Sequence, residues 1–222
     1  MLANLINEKS KMNKRRVITK LLHLDRPIIR LWYRHWNRLK FRLLGVKLGR
    51  HAMMWSKIYL HVDNDVNVVI GSNFAVYSGD NFNPLCSNTR CSIEVAEGAK
   101  LQIGDWSGIS GGCIWATDCI TIGNHVNIGA NCVIMDGDIH NTDWRLRHND
   151  RTSEEPVPYK HKPIVIEDDV WLGANSIVLK GVTIGARTII GAGSVVTKDI
   201  PADCIAAGNP CKVLKINKEK SK

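Results

Sequence analysis

A chain in which every sixth residue is aliphatic can satisfy few architectures. From Ile166 the step continues through Leu172, Val178, Ile184, Ile190 and Val196, and the residues four beyond are Val170, Ser176, Val182, Thr188, Ser194 and Ile200, all small or branched. Upstream the phase recurs at Ile103, Ile109 and Trp115, then slips by one residue to Ile122, Ile128 and Ile134. The companion positions there are Ser107, Cys113, Cys119, Val126, Cys132 and Asp138, and only Asp138 breaks the rule. A period of six fits neither the 3.6 of a helix nor the two of an amphipathic strand, but it suits a parallel β-helix with three short flat faces per turn. Each coil then takes eighteen residues, with the aliphatic residue in a narrow core and the small residue supporting the corner. Gly, Ala, Asn and Asp, as in Gly129-Ala130-Asn131 and Gly173-Ala174-Asn175, are expected to supply the bends that need positive φ.

The run from Lys162 to Ile216, KPIVIEDDVWLGANSIVLKGVTIGARTIIGAGSVVTKDIPADCIAAGNPCKVLKI, resembles the last coils of the hexapeptide-repeat acyltransferases. It is most similar to the maltose, galactoside and capsule-sugar O-acetyltransferases. The likeness covers about residues 60 to 216 and is loose before residue 100. It implies an all-β fold, a left-handed parallel β-helix of about five to six coils; the handedness comes from the resemblance alone. It also implies a homotrimer, acetyl-CoA as co-substrate, and no metal.

A repeat array buries its core only if its coils stack, so a long break must loop outward. Residues 140–162, HNTDWRLRHNDRTSEEPVPYKHK, are such a break, polar and without hexad phase. Long loops on rigid scaffolds are where function concentrates. At the loop's start stands Asp138-Ile139-His140, followed by Asp143. In the resembled enzymes a His at this place is the general base, and His140 is the matching position. Acetyl transfer from a thioester to a hydroxyl needs a proton removed as the oxygen attacks, and imidazole titrates close enough to neutrality to take it. A carboxylate on its other ring nitrogen fixes the tautomer; Asp138 or Asp143 could serve. His148 and His161 match no motif and read as ordinary polar loop residues, and His125 falls within a hexad turn.

By family position Ala174 and Ala192 offer main-chain contacts to coenzyme A, Thr197 and Lys198 lie by its distal part, and Lys212 and Lys215 stand where the family often has arginines near the phosphates. Lysine is a point charge and cannot form arginine's bidentate fork. Small residues at Ala174 and Ala192 equally suit the hexad corner. For the acceptor sugar, stacking geometry suggests Ser110, Trp115 and Asp118 one coil below His140, and Trp171 in the coil after the loop, which could instead pack on a neighbouring prism.

The charge is lopsided. Residues 1–50 hold fourteen of the thirty Lys and Arg and only Glu8 and Asp25 of the 21 acids. The chain thus divides into residues 1–50, a basic N-terminal segment, and residues 51–222, the β-helix acyltransferase domain with its protruding loop and short C-terminal extension. Asp25-Arg26-Pro27 reads as a helix start and Gly45 as its end. At 100° per residue Ile28, Ile29, Trp32, Trp36, Leu39 and Leu43 share an arc, with Arg30, Arg34, Arg38 and Arg42 on the far side. Two partners suit that helix of about residues 26–44: the open end of the β-helix, against the apolar stripe, or the inner face of an anionic membrane. Nucleic acid is not expected as a partner.

The remaining composition excludes several classes. At 44% apolar and 23% charged the chain is ordinary for a globular protein. It has no uncharged apolar run of eighteen residues and no secretory leader pattern, so a cytoplasmic location is expected. Seven Cys without a C-x-x-C pair read as reduced, with Cys113, Cys119 and Cys132 in core positions, and as neither disulfide framework nor zinc site. The functional expectation is an acetyl-CoA-dependent O-acetyltransferase acting on a sugar hydroxyl in cell-surface polysaccharide synthesis. N-acetylation of a nucleotide-linked amino sugar and a non-catalytic trimeric scaffold are the alternatives. A γ-type carbonic anhydrase lacks its histidine spacing, and serine acetyltransferases carry a longer helical segment before the prism.

Overall fold

A computed structural model of the chain describes residues 25–79, 83–86, 88–149 and 159–216. After one helix, α1 (Asp25–Leu43), the chain winds into a parallel β-helix with three faces. The first face stacks Lys47–Leu48, Asn67–Ile70, Lys100–Ile103, Cys119–Ile122, Ile164–Ile166 and Thr183–Ile184. The second stacks Met53–Met54, Ala75–Tyr77, Gly108–Ser110, Asn127–Ile128, Trp171–Leu172, Ile189–Ile190 and Cys204–Ala207, and Lys212–Ile216 folds back antiparallel on the last of these. The third stacks Ile58–Val62, Cys91–Val95, Cys113–Ala116, Val133–Met135, Ile177–Val178 and Val195–Val196. Six coils are complete and a seventh begins.

The six-residue rule holds where it is cleanest. Ile166, Leu172, Val178, Ile184, Ile190 and Val196 are buried, as are all six companions from Val170 to Ile200. Each buried aliphatic contributes roughly 1.5–3 kcal/mol. The small companions also tie the corners: Ser176 Oγ donates to the Gly173 carbonyl at 2.7 Å and Ser194 Oγ to that of Gly191 at 2.5 Å. Eighteen residues separate partners such as Trp171 and Ile189, but nineteen separate Gly108 from Asn127.

Two readings of the repeat, a core Trp115 and core Cys113 and Cys119, need correcting. Trp115 does not take a core position: the corner holding Gly111 and Gly112 is one residue short, so Ile114 and Ala116 point inward while Trp115, Cys113 and Cys119 are only half-buried. Cys132 is a true core residue, and burial pushes its thiol and that of Cys91 up, keeping both protonated. Positive φ falls at Asn131 and Asn175 in the expected turns and at further Asn, Asp and Gly residues such as Asn73, Asp169, Asp203 and Gly193, and the larger Trp106, His125 and Arg187 also lie in the left-handed region. The N–H groups of Trp106, His125, Asp169 and Arg187 donate to the carbonyls of Ser72, Asp105, Asn124 and Asp168 in the coil before. The Trp106 and exposed His125 rings stack in parallel on that row. The corner glycines instead admit the neighbouring backbone: a Cβ on Gly173 would sit 2.5 Å from Ala192 N.

The helix forms over the expected span but docks with the opposite face. Asn37 and Phe41 are fully buried against the first coil, whereas Ile28, Trp32, Trp36, Leu39 and Leu43 are exposed. The reason lies in the edge that α1 covers. An end coil presents unpaired carbonyls, which need donors that an apolar stripe does not have. Asn37 Nδ2 donates to the carbonyls of Met54 and Ser56, Arg38 to that of Ala52 and Lys40 to that of Ile58. The Arg30 guanidinium sits over the Trp55 ring at 5.7 Å. The basic residues before Asp25 lie outside the described residues.

Candidate active site at the loop neck

The long loop leaves the third face of the fourth coil after Met135 and rejoins the first face of the fifth at Ile164. Its neck is a short antiparallel ribbon. Gly137 bridges His161, Asp138 N–H donates to the Lys160 carbonyl, and Lys162 N–H donates to that of Asp136. Beneath it Asp136 is fully buried and accepts from Thr117 N at 2.6 Å, Thr117 Oγ1 at 2.8 Å and Asp118 N at 3.0 Å. A buried carboxylate needs such a set of donors, and this one fastens the neck to the turn one coil below.

His140 is exposed at the start of the loop. Ile139 before it has φ 62°, a conformation that costs a β-branched residue strain and that clusters at functional positions. The two candidate carboxylates have different occupations. Asp143 opens α2 (Trp144–Asn149): its Oδ1 accepts from Arg145 N at 2.9 Å and its Oδ2 lies 3.6 Å from the Arg145 guanidinium. Asp138 pairs through Oδ1 with the Lys180 ammonium, while its Oδ2 is buried without a partner among the described residues.

A cleft of about 600 Å³ opens where the neck meets the later coils, lined among others by Asp138, Thr142, Tyr159, His161, Lys180 and Thr197. His161, read as an ordinary loop residue, lines it, and its Nδ1 lies 3.2 Å from Asp118 Oδ2. Nothing in the sequence around His161 signals this; only the return strand of the neck brings the pair together. The loop also presents Trp144 and His148, in edge contact at 5.2 Å, to solvent.

The other expected site residues divide. Asp118 sits at the neck, and Trp115 lies beside Met135 on the third face. Ser110 and Trp171 line a different groove, about 500 Å³, on the second face with Tyr77, Trp106 and Asn127. Their separation follows from the corner that each coil has turned by that point. Thr197 reaches the cleft and the exposed Lys198 follows it. Ala174 and Ala192 stack at the opposite corner of the third face, Ala192 five residues before Thr197, at most roughly 16 Å away along the chain. Lys212 and Lys215 are exposed on the final antiparallel strand.

Residues 119–137 match the family model described as hexapeptide repeat of succinyl-transferase, and residues 163–198 the one described as bacterial transferase hexapeptide (six repeats). The interval between the two matches is the loop. Both matched stretches lie on coils of the left-handed β-helix, a fold the chain shares with hexapeptide-repeat acetyltransferases. It is 47% identical over 94 residues to a galactoside O-acetyltransferase of Lactococcus lactis subsp. lactis (strain IL1403), an overlap covering 42% of each chain. It is similar, at 27% identity and a TM-score of 0.52 over 90% of this chain and 93% of the other, to the hexapeptide-repeat-containing acetyltransferase VCA0836 of Vibrio cholerae. AntD, an N-acyltransferase from Bacillus cereus solved with dTDP and 3-hydroxybutyryl-CoA, shares the fold at a TM-score of 0.64 and 19% identity, over 82% of this chain and 89% of its own. The chain spans about half the length of the curated relatives it matches.

Proposed function

We propose that this chain transfers acetyl from acetyl-CoA to a sugar hydroxyl during synthesis of a cell-surface polysaccharide, with His140 as general base. The observation that carries the reading is the cleft at the loop neck, lined by Asp138 and His161 with His140 two residues beyond Asp138 in the chain, between coils whose repeats match transferase models on both sides of the loop. Similarity to a galactoside O-acetyltransferase supports a sugar acceptor.

The donor supplies an activated acetyl thioester; the chain supplies the proton handling and the positioning. His140 takes the proton of the acceptor hydroxyl as its oxygen attacks the carbonyl, and returns it to the departing thiol sulfur, so that an ester forms and the thioester bond breaks. Of the two carboxylates, Asp138 is the better orienting group, because its Oδ2 has no partner among the described residues whereas Asp143 already caps α2. Thr197 and Lys198 fit one end of an extended coenzyme and the small residues Ala174 and Ala192 the other, with Lys212 and Lys215 as cations for its phosphates.

Incubation with acetyl-CoA and a panel of acceptor sugars should release free thiol and yield an alkali-labile acetyl ester, read by mass. An alkali-stable amide would move the acceptor to an amino sugar. No acceptor-dependent thiol release with any sugar would leave a trimeric scaffold as the better account.

Three flat-sided prisms can close symmetrically, so the protein is expected to be a homotrimer with its sites between subunits. Light scattering at micromolar concentration should give three times the chain mass. A stable monomer would remove the groove proposed for coenzyme A.

A further inference from the structure

The side of α1 turned away from the first coil has no partner among the described residues. Ile28, Trp32, Trp36, Leu39 and Leu43 recur at steps of four, four, three and four, and they stand 73%, 65%, 47%, 49% and 75% exposed. The Trp32 and Trp36 rings lie parallel with centroids 6.4 Å apart. This is a continuous apolar ridge rather than scattered surface hydrophobics, and such ridges mark interaction surfaces.

Beside the ridge runs a groove of about 450 Å³ between α1 and the first coil, lined by Arg34, Arg38, Arg42, Arg50, His51 and a short stretch of chain at Leu48-Gly49. No acid lines it. Arg42 is three residues from Leu39, so the groove meets the ridge along the Arg42 edge of the helix. The guanidinium of Arg38 is held below its ordinary value by burial and then by the charges of Arg34 and Arg42, which marks an unneutralised excess of positive charge.

That combination selects the occupant. A second copy laid ridge to ridge would bring two helices together that each carry five Arg and one Lys against the single acid Asp25. An acidic surface with an apolar layer beneath it satisfies both halves at once, as for helices that lie in the bilayer interface. The twenty-four residues leading into α1 add six Lys and Arg against Glu8 alone. We propose that α1 and its groove seat the protein on a bilayer containing anionic phospholipid, with the ridge entering the acyl boundary and the groove taking lipid phosphates. No described helix is long and apolar enough to cross a membrane, so the contact is interfacial. The inference does not depend on the acetyltransferase reading.

Sedimentation of the full chain with phosphatidylcholine vesicles, with and without phosphatidylglycerol, tests it at low salt. The parent should bind the phosphatidylglycerol vesicles and leave pure phosphatidylcholine nearly untouched. Changing Arg34, Arg42 and Arg50 together to Gln should weaken binding about a hundredfold, at about fivefold per charge. Arg38 is kept because it donates to Ala52, and Arg30 because it covers Trp55. Trp32→Ser with Trp36→Ser should weaken binding at least about tenfold, with melting unchanged in both variants. Equal binding to the two vesicles, or none, would overturn the proposal. So would binding of inorganic phosphate without vesicles, which would make the groove a site for a free anion. A Trp variant that keeps vesicle binding but loses molecular mass in light scattering would assign the ridge to a second copy, and one that melts lower would assign it to the protein's own core.

Discussion

Replacement of His140 by Ala should lower turnover by roughly 10²–10⁴, the usual worth of a general base, while acetyl-CoA affinity stays nearly unchanged because other groups hold the thioester. The informative control is His161→Ala. His161 lines the cleft and has Asp118 at 3.2 Å, so by geometry it is the rival imidazole. With His140 as base, His161→Ala should cost no more than about tenfold, through lost positioning of the neck. If His140→Ala stays within about threefold of the parent while His161→Ala collapses, the base moves to His161 and acetyl transfer itself still stands.

The second large effect is expected on stability. Asp136→Ala removes the acceptor for Thr117 N, Thr117 Oγ1 and Asp118 N at a fully buried position. Hydrogen bonds to a charged group are worth about 1.5–3 kcal/mol each, and buried donors left unpaired cost more still. The loss should reach about 3 kcal/mol or more, read as a lowered urea midpoint at unchanged slope. Asp136→Asn keeps one carbonyl acceptor but turns an amide donor toward backbone N–H groups, so it should lose less, about 1–2 kcal/mol. An Ala variant with the parent's midpoint would mean that Asp136 does not fasten the neck.

The later coils were legible because an eighteen-residue coil forces the same side-chain choice at every sixth position, and all twelve positions from Ile166 to Ile200 obeyed it. The first two coils were not, since their partners stand twenty-two residues apart, as Lys47 and Val69 do, and a further insertion precedes Cys91. Trp115 misled because one short corner moves every following residue by one face position. For α1, periodicity groups residues on a face but does not say which face meets protein. That was decided by the open carbonyls of the first coil, which asked for Asn37, Arg38 and Lys40. At the site, the Asp-x-His at the loop start was visible in the chain, whereas Asp136 looked like one more polar residue and His161 acquired its carboxylate only when the loop closed on itself. Ser110 and Trp171 needed the exact coil phase to be placed, and they fell on another groove.

A solenoid converts position along the chain into altitude. α1 caps the first coil and the loop neck springs from the fourth, so three steps of about 4.8 Å lift the neck roughly 14 Å above the capped end. On the proposed reading, with the molecule seated at its capped end, that interval is a ruler: an acceptor rooted in the bilayer would meet the cleft roughly 14 Å out from the surface. One inserted eighteen-residue coil below the neck would lengthen the ruler by one step of about 4.8 Å without touching a residue of the cleft.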